Sequence, residues 1–245
     1  MRPLFHLGRY LIMLSYFFRK PENWRMYLQE TLRQMYAMGV GSLLIVVVIS
    51  FFMGAVITLQ TAYQLVSPLV PVYVVASIVR ESTILELSVS VLSLVLAGKI
   101  GSSLATELGT MRISEQIDAL EIMGVNSRSF LVMPKLIAAL ITIPGLVIIS
   151  CNVALFSGFL VASTTGVMSQ DQFLFGLRED FVPFNVAFCM IKAVTFSFII
   201  ATVACYHGYY AEGGAYEIGT ASTKAVVYCC IIILIFDYIL AQLLL

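Results

Sequence analysis

QMYAMGVGSLLIVVVISFFMGAVITLQTAYQLVSPLVPVYVVASIV, residues 34–79, contains no Asp, Glu, Lys or Arg. A bilayer's hydrocarbon core takes ~20 helical residues to cross, so this run is long enough for two crossings. Pro68 and Pro71 stand where the chain has to turn, because proline cannot continue a helix without losing a backbone hydrogen bond. The stretch therefore predicts a hairpin, with span one over 41–66 and span two over 73–98.

The rest of the 245 residues follows the same pattern. Hydrophobic residues make up 60% of the chain and charged residues 11%, and the mean hydropathy is +0.96. Further apolar runs predict span three over 136–163, with Pro144-Gly145 as a kink, span four over 185–206 and span five over 224–245. The fold class is an all-α polytopic membrane protein with five transmembrane helices. Alternating ten-residue strands are missing, which argues against an outer-membrane barrel. A net charge of zero gives no basis for nucleic-acid binding. The five cysteines fall inside apolar runs without metal-ligand spacing, and read as inert thiols.

Basic residues set the expected orientation. Arg2, Arg9, Arg19, Lys20, Arg25 and Arg33 precede span one. Lys99, Arg112, Arg128 and Lys135 lie between spans two and three, and Lys224 precedes span five. The opposite side has only Arg178, in the loop 164–184. The amino terminus is therefore expected in the cytoplasm and the carboxyl terminus outside. Residues 1–38 interleave basic and aromatic side chains and predict amphipathic helices in the membrane interface, divided at Pro21. RYLIMLSYFF within them is followed by Arg19-Lys20-Pro21 and not by a small-residue cleavage site, so no signal peptide is read. Residues 39–245 then form the membrane domain.

ELGTMRISEQIDALEIMGV, residues 107–125, concentrates charge between two apolar spans. Ser114 is a candidate N-cap and Gly124 a helix stop. The short helix over 114–124 places Ile113, Ile117 and Leu120 on one face and Glu115, Asp118 and Glu121 on the other. Too short to stand alone, it suits either a coupling helix inserting into a soluble partner or a solvated loop helix. Ahead of it Ala97, Gly101, Ala105 and Gly109, with Gly98, Ser102 and Thr106 beside them, form a ladder of small residues for close helix packing. SLVLAGK, residues 93–99, lacks the first glycine and the hydroxyl residue after lysine of a phosphate loop, and lies in an apolar span.

Charges inside spans are costly and mark bundle interiors or wet cavities. They are Arg80, Glu81 and Glu86 in span two, Lys192 in span four and Asp237 in span five. Arg80 and Glu81 lie close to the outer edge. Lys192 and Asp237 lie at nearly one depth and are predicted to pair, with Glu86 as a third member. His6 and His207 have no neighbours that resemble a catalytic set. An ion-coupled secondary transporter using Glu86, Lys192 and Asp237 is one alternative function, and an intramembrane enzyme is another. The first lacks visible inverted repeats; the second lacks a nucleophile and base.

LAGKIGSSLATELGTMRISEQIDALEIMGVN (96–126), IKAVTFSFIIATVACYHGYYAEGGAYEIGTASTKAVV (191–227) and IFDYIL (235–240) together resemble the MlaE-type permeases, membrane subunits of Mce-associated lipid ABC transporters. The resemblance covers about residues 35–245. It implies a non-enzymatic, multi-pass subunit in a cell's inner membrane, working as a homodimer on a separate cytoplasmic ATPase. ATP and Mg would be bound by that partner and no cofactor by this chain. An Mce-domain protein would sit on the outer side, and the cargo would be phospholipid or a related lipid. On this reading Glu107, Arg112, Glu115, Asp118 and Glu121 serve ATPase coupling. A long uncharged span beside a two-fold axis can hold acyl chains, so Phe51, Phe52, Val56, Leu59, Tyr63, Tyr238, Leu240 and Leu243 are expected to line a lipid cavity. The family's Arg-Glu-Leu-Gly-Pro in span two is here Leu85-Glu86-Leu87-Ser88-Val89, so only Glu86 carries over.

Overall fold

In a computed structural model, which describes residues 2–15, 24–65 and 71–244, every long apolar run is one helix. The elements are α1 (Arg2–Ser15), α2 (Trp24–Gln64), α3 (Tyr73–Ile113), α4 (Gln116–Ile122), α5 (Ser127–Thr164), α6 (Gln170–Arg178), α7 (Pro183–Tyr209) and α8 (Ala215–Leu244). Five of them, α2, α3, α5, α7 and α8, are long and apolar enough to cross a bilayer. Pro21 and Pro68, the expected breaks, lie outside the described residues.

The helices outrun the predicted spans, because hydropathy locates the hydrocarbon segment and not the helix ends. Residues 24–38 run into span one without a break and form no separate helix. Span two likewise continues past Lys99 to Ile113. α3 widens to π-helical turns over Thr83–Val91 and Ala97–Gly101, a geometry frequent at functional sites. α6 falls in a loop where no helix was expected. Its signal is Ser169-x-x-Gln172, a capping box in which each side chain bonds the other's backbone N–H.

The chain divides into two units. The first comprises Met1–Ser42, Leu94–Thr142 and Thr195–Tyr238; the second comprises Leu43–Ser93, Ile143–Val194 and Ile239–Leu245. In the first, the predicted small-residue ladder meets α7. Ala97, Gly101, Ala105 and Gly109 are buried, and a Cβ added to Gly208 would lie 2.6 Å from the Ala105 carbonyl oxygen. In the second, a core of Val75, Ala76, Val79, Ala162, Met168 and Phe173 joins α3, α5 and α6. There α2 and α5 touch at glycines: a Cβ on Gly54 would overlap the Ala154 carbonyl, and one on Gly158 would lie 2.6 Å from Thr58 Oγ1. Gly54→Ala is expected to lower stability by ~1–3 kcal/mol in thermal unfolding, as overpacking does. Gly145→Ala, where a Cβ meets nothing within 4 Å, should be neutral or stabilising by up to ~1 kcal/mol.

Arg80, expected at the membrane edge, is 3% exposed. Its guanidinium donates to the carbonyls of Gly176, Leu177, Glu179 and Asp180 and to the Glu81 carboxylate. It thereby satisfies the orphan carbonyls at the end of α6, where a cation also suits the helix dipole. Glu81 in turn accepts from Asn185. Arg80→Met should release α6, raising amide hydrogen exchange over 170–180 by at least about tenfold, because four carbonyls lose charged donors.

Candidate functional site

The first unit presents α4. Ser114, the predicted cap, donates its hydroxyl back to the Thr110 carbonyl and closes α3. Glu115 takes the N-cap place at φ 59°, without a side-chain capping bond. The reason is the length of α3: it runs to Ile113, so the reversal into α4 has only Ser114 and Glu115, and one must turn left-handed. For a non-glycine residue that costs roughly 1–2 kcal/mol. Gly124 at φ 80° ends the turn after α4 as expected.

With seven residues, α4 depends on docking. Ile117 is fully buried among Leu108, Leu131, Val132, Cys205 and Tyr209, with Leu120 and Met111 beside it. Burying one such side chain contributes ~1.5–3 kcal/mol. The apolar face thus docks on the chain's own helices.

Most of the charged residues assigned to coupling are engaged within the chain. Arg112 pairs with Asp118 at 2.7 Å. Glu107 accepts from the buried Lys135 at 2.6 Å and from Gln34 at 3.2 Å. Glu121 accepts from Ser127 Oγ at 2.7 Å. The Tyr209 hydroxyl lies 2.8 Å from Ser127 Oγ and 3.1 Å from Glu121 Oε1, with one proton to donate. The Ser127 hydrogen bond, aided by Tyr209, Arg128 and Arg112, holds the Glu121 carboxyl below its usual range despite some desolvation. Because this folded pKa is depressed, the latch is complete above the ordinary glutamate pKa and weakens as pH falls through the folded value. Glu115 is exposed. So are Ile122 at 87% and Met123 at 68%. Sequence reasoning passed over these two, although apolar residues at the end of an acidic face were the signal.

In the second unit Lys192, fully buried, donates to Glu86 Oε1 at 2.9 Å and to the Leu85 carbonyl at 3.2 Å. It also stands 4.8 Å from the centre of the Phe188 ring, a favourable cation–π separation. Ser90 Oγ donates to the other Glu86 oxygen at 2.8 Å. Glu86, 49% exposed at its side chain, lies in the π-helical stretch of α3. The pair joins a buried cation to a carboxylate open on one side. Asp237 lies half-buried on α8 and belongs to the first unit.

The profile of the permease MlaE family matches residues 31–243. The chain belongs to the MlaE permease family. It is 37% identical over 218 residues to a probable ABC transporter permease protein of Rickettsia bellii (strain RML369-C), covering 89% of this chain and 84% of that one. A probable ABC transporter permease protein of Synechocystis sp. (strain ATCC 27184 / PCC 6803 / Kazusa) is 31% identical over 215 residues, 88% of this chain and 81% of its own. Protein TRIGALACTOSYLDIACYLGLYCEROL 1, chloroplastic, of Arabidopsis thaliana is 30% identical over 220 residues, 90% of this chain and 61% of its own.

Among the residues expected to hold lipid in this permease, Phe52 and Val56 line an open hollow of about 300 Å³ with Met53, Ile57, Gln60 and Leu87. Leu59, Tyr63, Tyr238 and Leu243 are exposed, and Phe51 and Leu240 are half-buried. Phe51 packs edge-on against Phe52, ring centres 5.8 Å apart. Of the five spans, α2 and α8 have the smallest share of their most apolar stretch buried, as suits helices that face lipid or another subunit.

Proposed function

We propose that this permease moves phospholipid or a related lipid between the inner membrane and an Mce-domain partner on the outer side. It works as a homodimer, and a separate cytoplasmic ATPase drives it. The amino terminus is cytoplasmic and the carboxyl terminus periplasmic. The observation that carries the reading is α4: a short helix locked to its own domain by Ile117 and Glu121, with Glu115, Ile122 and Met123 left outward. Such a rigid knob can pass a partner's movement to α3, α5 and α7, which hold its base. The Arabidopsis relative bears the name of a glycerolipid, and the exposed apolar faces of α2 and α8 suit acyl chains. Glu86 and Lys192 form or border the polar part of the lipid path.

Gentle purification followed by mass spectrometry tests the proposal. The expected result is an ATPase and an Mce-domain protein retained with the permease, together with phospholipid. Photo-crosslinkers at Leu59 and Tyr238 should capture that lipid above the level of exposed control positions. A chain that transports without any retained ATPase would return the reading to an ion-coupled carrier.

A further inference from the structure

The first unit holds a hollow of about 270 Å³ that no part of the transport reading uses. It lies between α2 and α3, where Arg33, Gln34, Lys99, Ser103 and Glu107 converge over an apolar wall that includes Met38 and Leu104. We propose that this hollow binds the phosphodiester headgroup of an anionic lipid in the cytoplasmic leaflet. The proposal rests on the orientation given above, with this end of α2 and α3 on the cytoplasmic side.

Charge selects an anion. The lining of the hollow carries two cations, Arg33 and Lys99, and one anion, Glu107. Glu107 is bonded to Lys135 at 2.6 Å and to Gln34 at 3.2 Å, so its charge is compensated. The Arg33–Glu30 pair is long, 3.8 Å, and the Arg33 side chain is 81% exposed. A pair of that kind holds its arginine weakly, leaving the guanidinium able to turn to a phosphate and bind it through two parallel hydrogen bonds. Lys99 donates to the Gly41 carbonyl, which anchors its ammonium at the rim. The Ser103 hydroxyl supplies a further donor.

Size and surroundings select a lipid's head. The volume lies below the ~300–1,000 Å³ of pockets that enclose whole drug-sized ligands. It admits a phosphate with its glycerol and leaves the chains outside. Next to the Arg33–Ala37 row of α2 runs an exposed apolar row, Leu32, Tyr36 and Val40, along which acyl chains can lie.

The test uses the full chain in vesicles of phosphatidylglycerol and phosphatidylcholine, with a benzophenone amino acid at Ala37 in the hollow's wall or at the exposed Val227 on α8, away from its lining. Mass spectrometry reads the ratio of the two lipid adducts. At Ala37 phosphatidylglycerol should be enriched about tenfold over the bulk composition, at Val227 hardly at all. The double variant Arg33→Gln/Lys99→Gln should lose the enrichment, and Arg33→Lys should keep part of it. Enrichment that survives the double variant, in a chain with unchanged thermal unfolding, would overturn the site. Inorganic phosphate that erases the enrichment would show a soluble-anion site and overturn the lipid assignment. Neither readout depends on ATPase retention, so failure here and failure of the transport reading are separate results.

Discussion

Ile122→Asp together with Met123→Asp should strip the ATPase from the purified permease. These side chains are more than two-thirds exposed at the outer end of a helix whose other apolar face is already buried on its own domain. Interfaces commonly gain most of their free energy from a few apolar or aromatic anchors near the centre, and losing one costs ~2–4 kcal/mol. Two aspartates add the desolvation of charge. Co-purified ATPase should therefore fall by at least about a hundredfold, while thermal unfolding of the permease itself changes little, since neither residue packs within the chain. Glu115→Lys should have a smaller effect, about tenfold or less, as expected for a charge at an interface rim. If the double aspartate retains the ATPase fully, α4 is a solvated loop helix and the coupling assignment falls.

Glu86→Gln is the second change expected to act strongly. Lys192 is fully buried, and the carboxylate lies 2.9 Å from its ammonium. Removing one partner of a buried pair costs ~3–5 kcal/mol. Glu86 is half-exposed, so water moderates the loss, and the lower end of that range is expected in thermal unfolding. Glu86→Asp should keep the charge but not the reach, with an intermediate effect. The paired replacement Glu86→Leu/Lys192→Met removes both charges and should recover most of the stability. Transport by that stable double variant decides the pair's role. Transport at the original rate would make the pair structural only, and its loss would place the charges on the lipid path.

The spans were legible because transfer into hydrocarbon depends on composition alone: a run without charge, such as 34–79, has few other places to go. The amphipathic division of α4 was legible for the same kind of reason, since Ile117 and Leu120 follow helical spacing. Which side of α4 stays free was not. That depends on Leu108, Leu131 and Tyr209, residues far apart in the chain, arriving under Ile117. Likewise, charge alone offered Glu107, Asp118 and Glu121 to a partner, and only the arrival of Lys135, Arg112 and Ser127 shows them engaged within the chain. The role of Arg80 was hidden because backbone carbonyls carry no sequence signature: its partners are main-chain oxygens of 176–180, nearly a hundred residues on.

By itself, then, the sequence determined an all-helical membrane protein of five spans, its family, and a short charged helix between two of them, because hydropathy and motif spacing are local quantities. Tertiary structure alone decided that Glu86, offered by the sequence only as a third member beside Lys192 and Asp237, bonds Lys192 directly, that Arg80 caps α6, that α4 exposes Ile122 and Met123, and that Arg33 and Lys99 share a hollow. Each of these depends on distances between distant segments, set by close helix contacts such as Gly54 on Ala154 and Gly208 on Ala105, and no property of a single segment fixes such a distance.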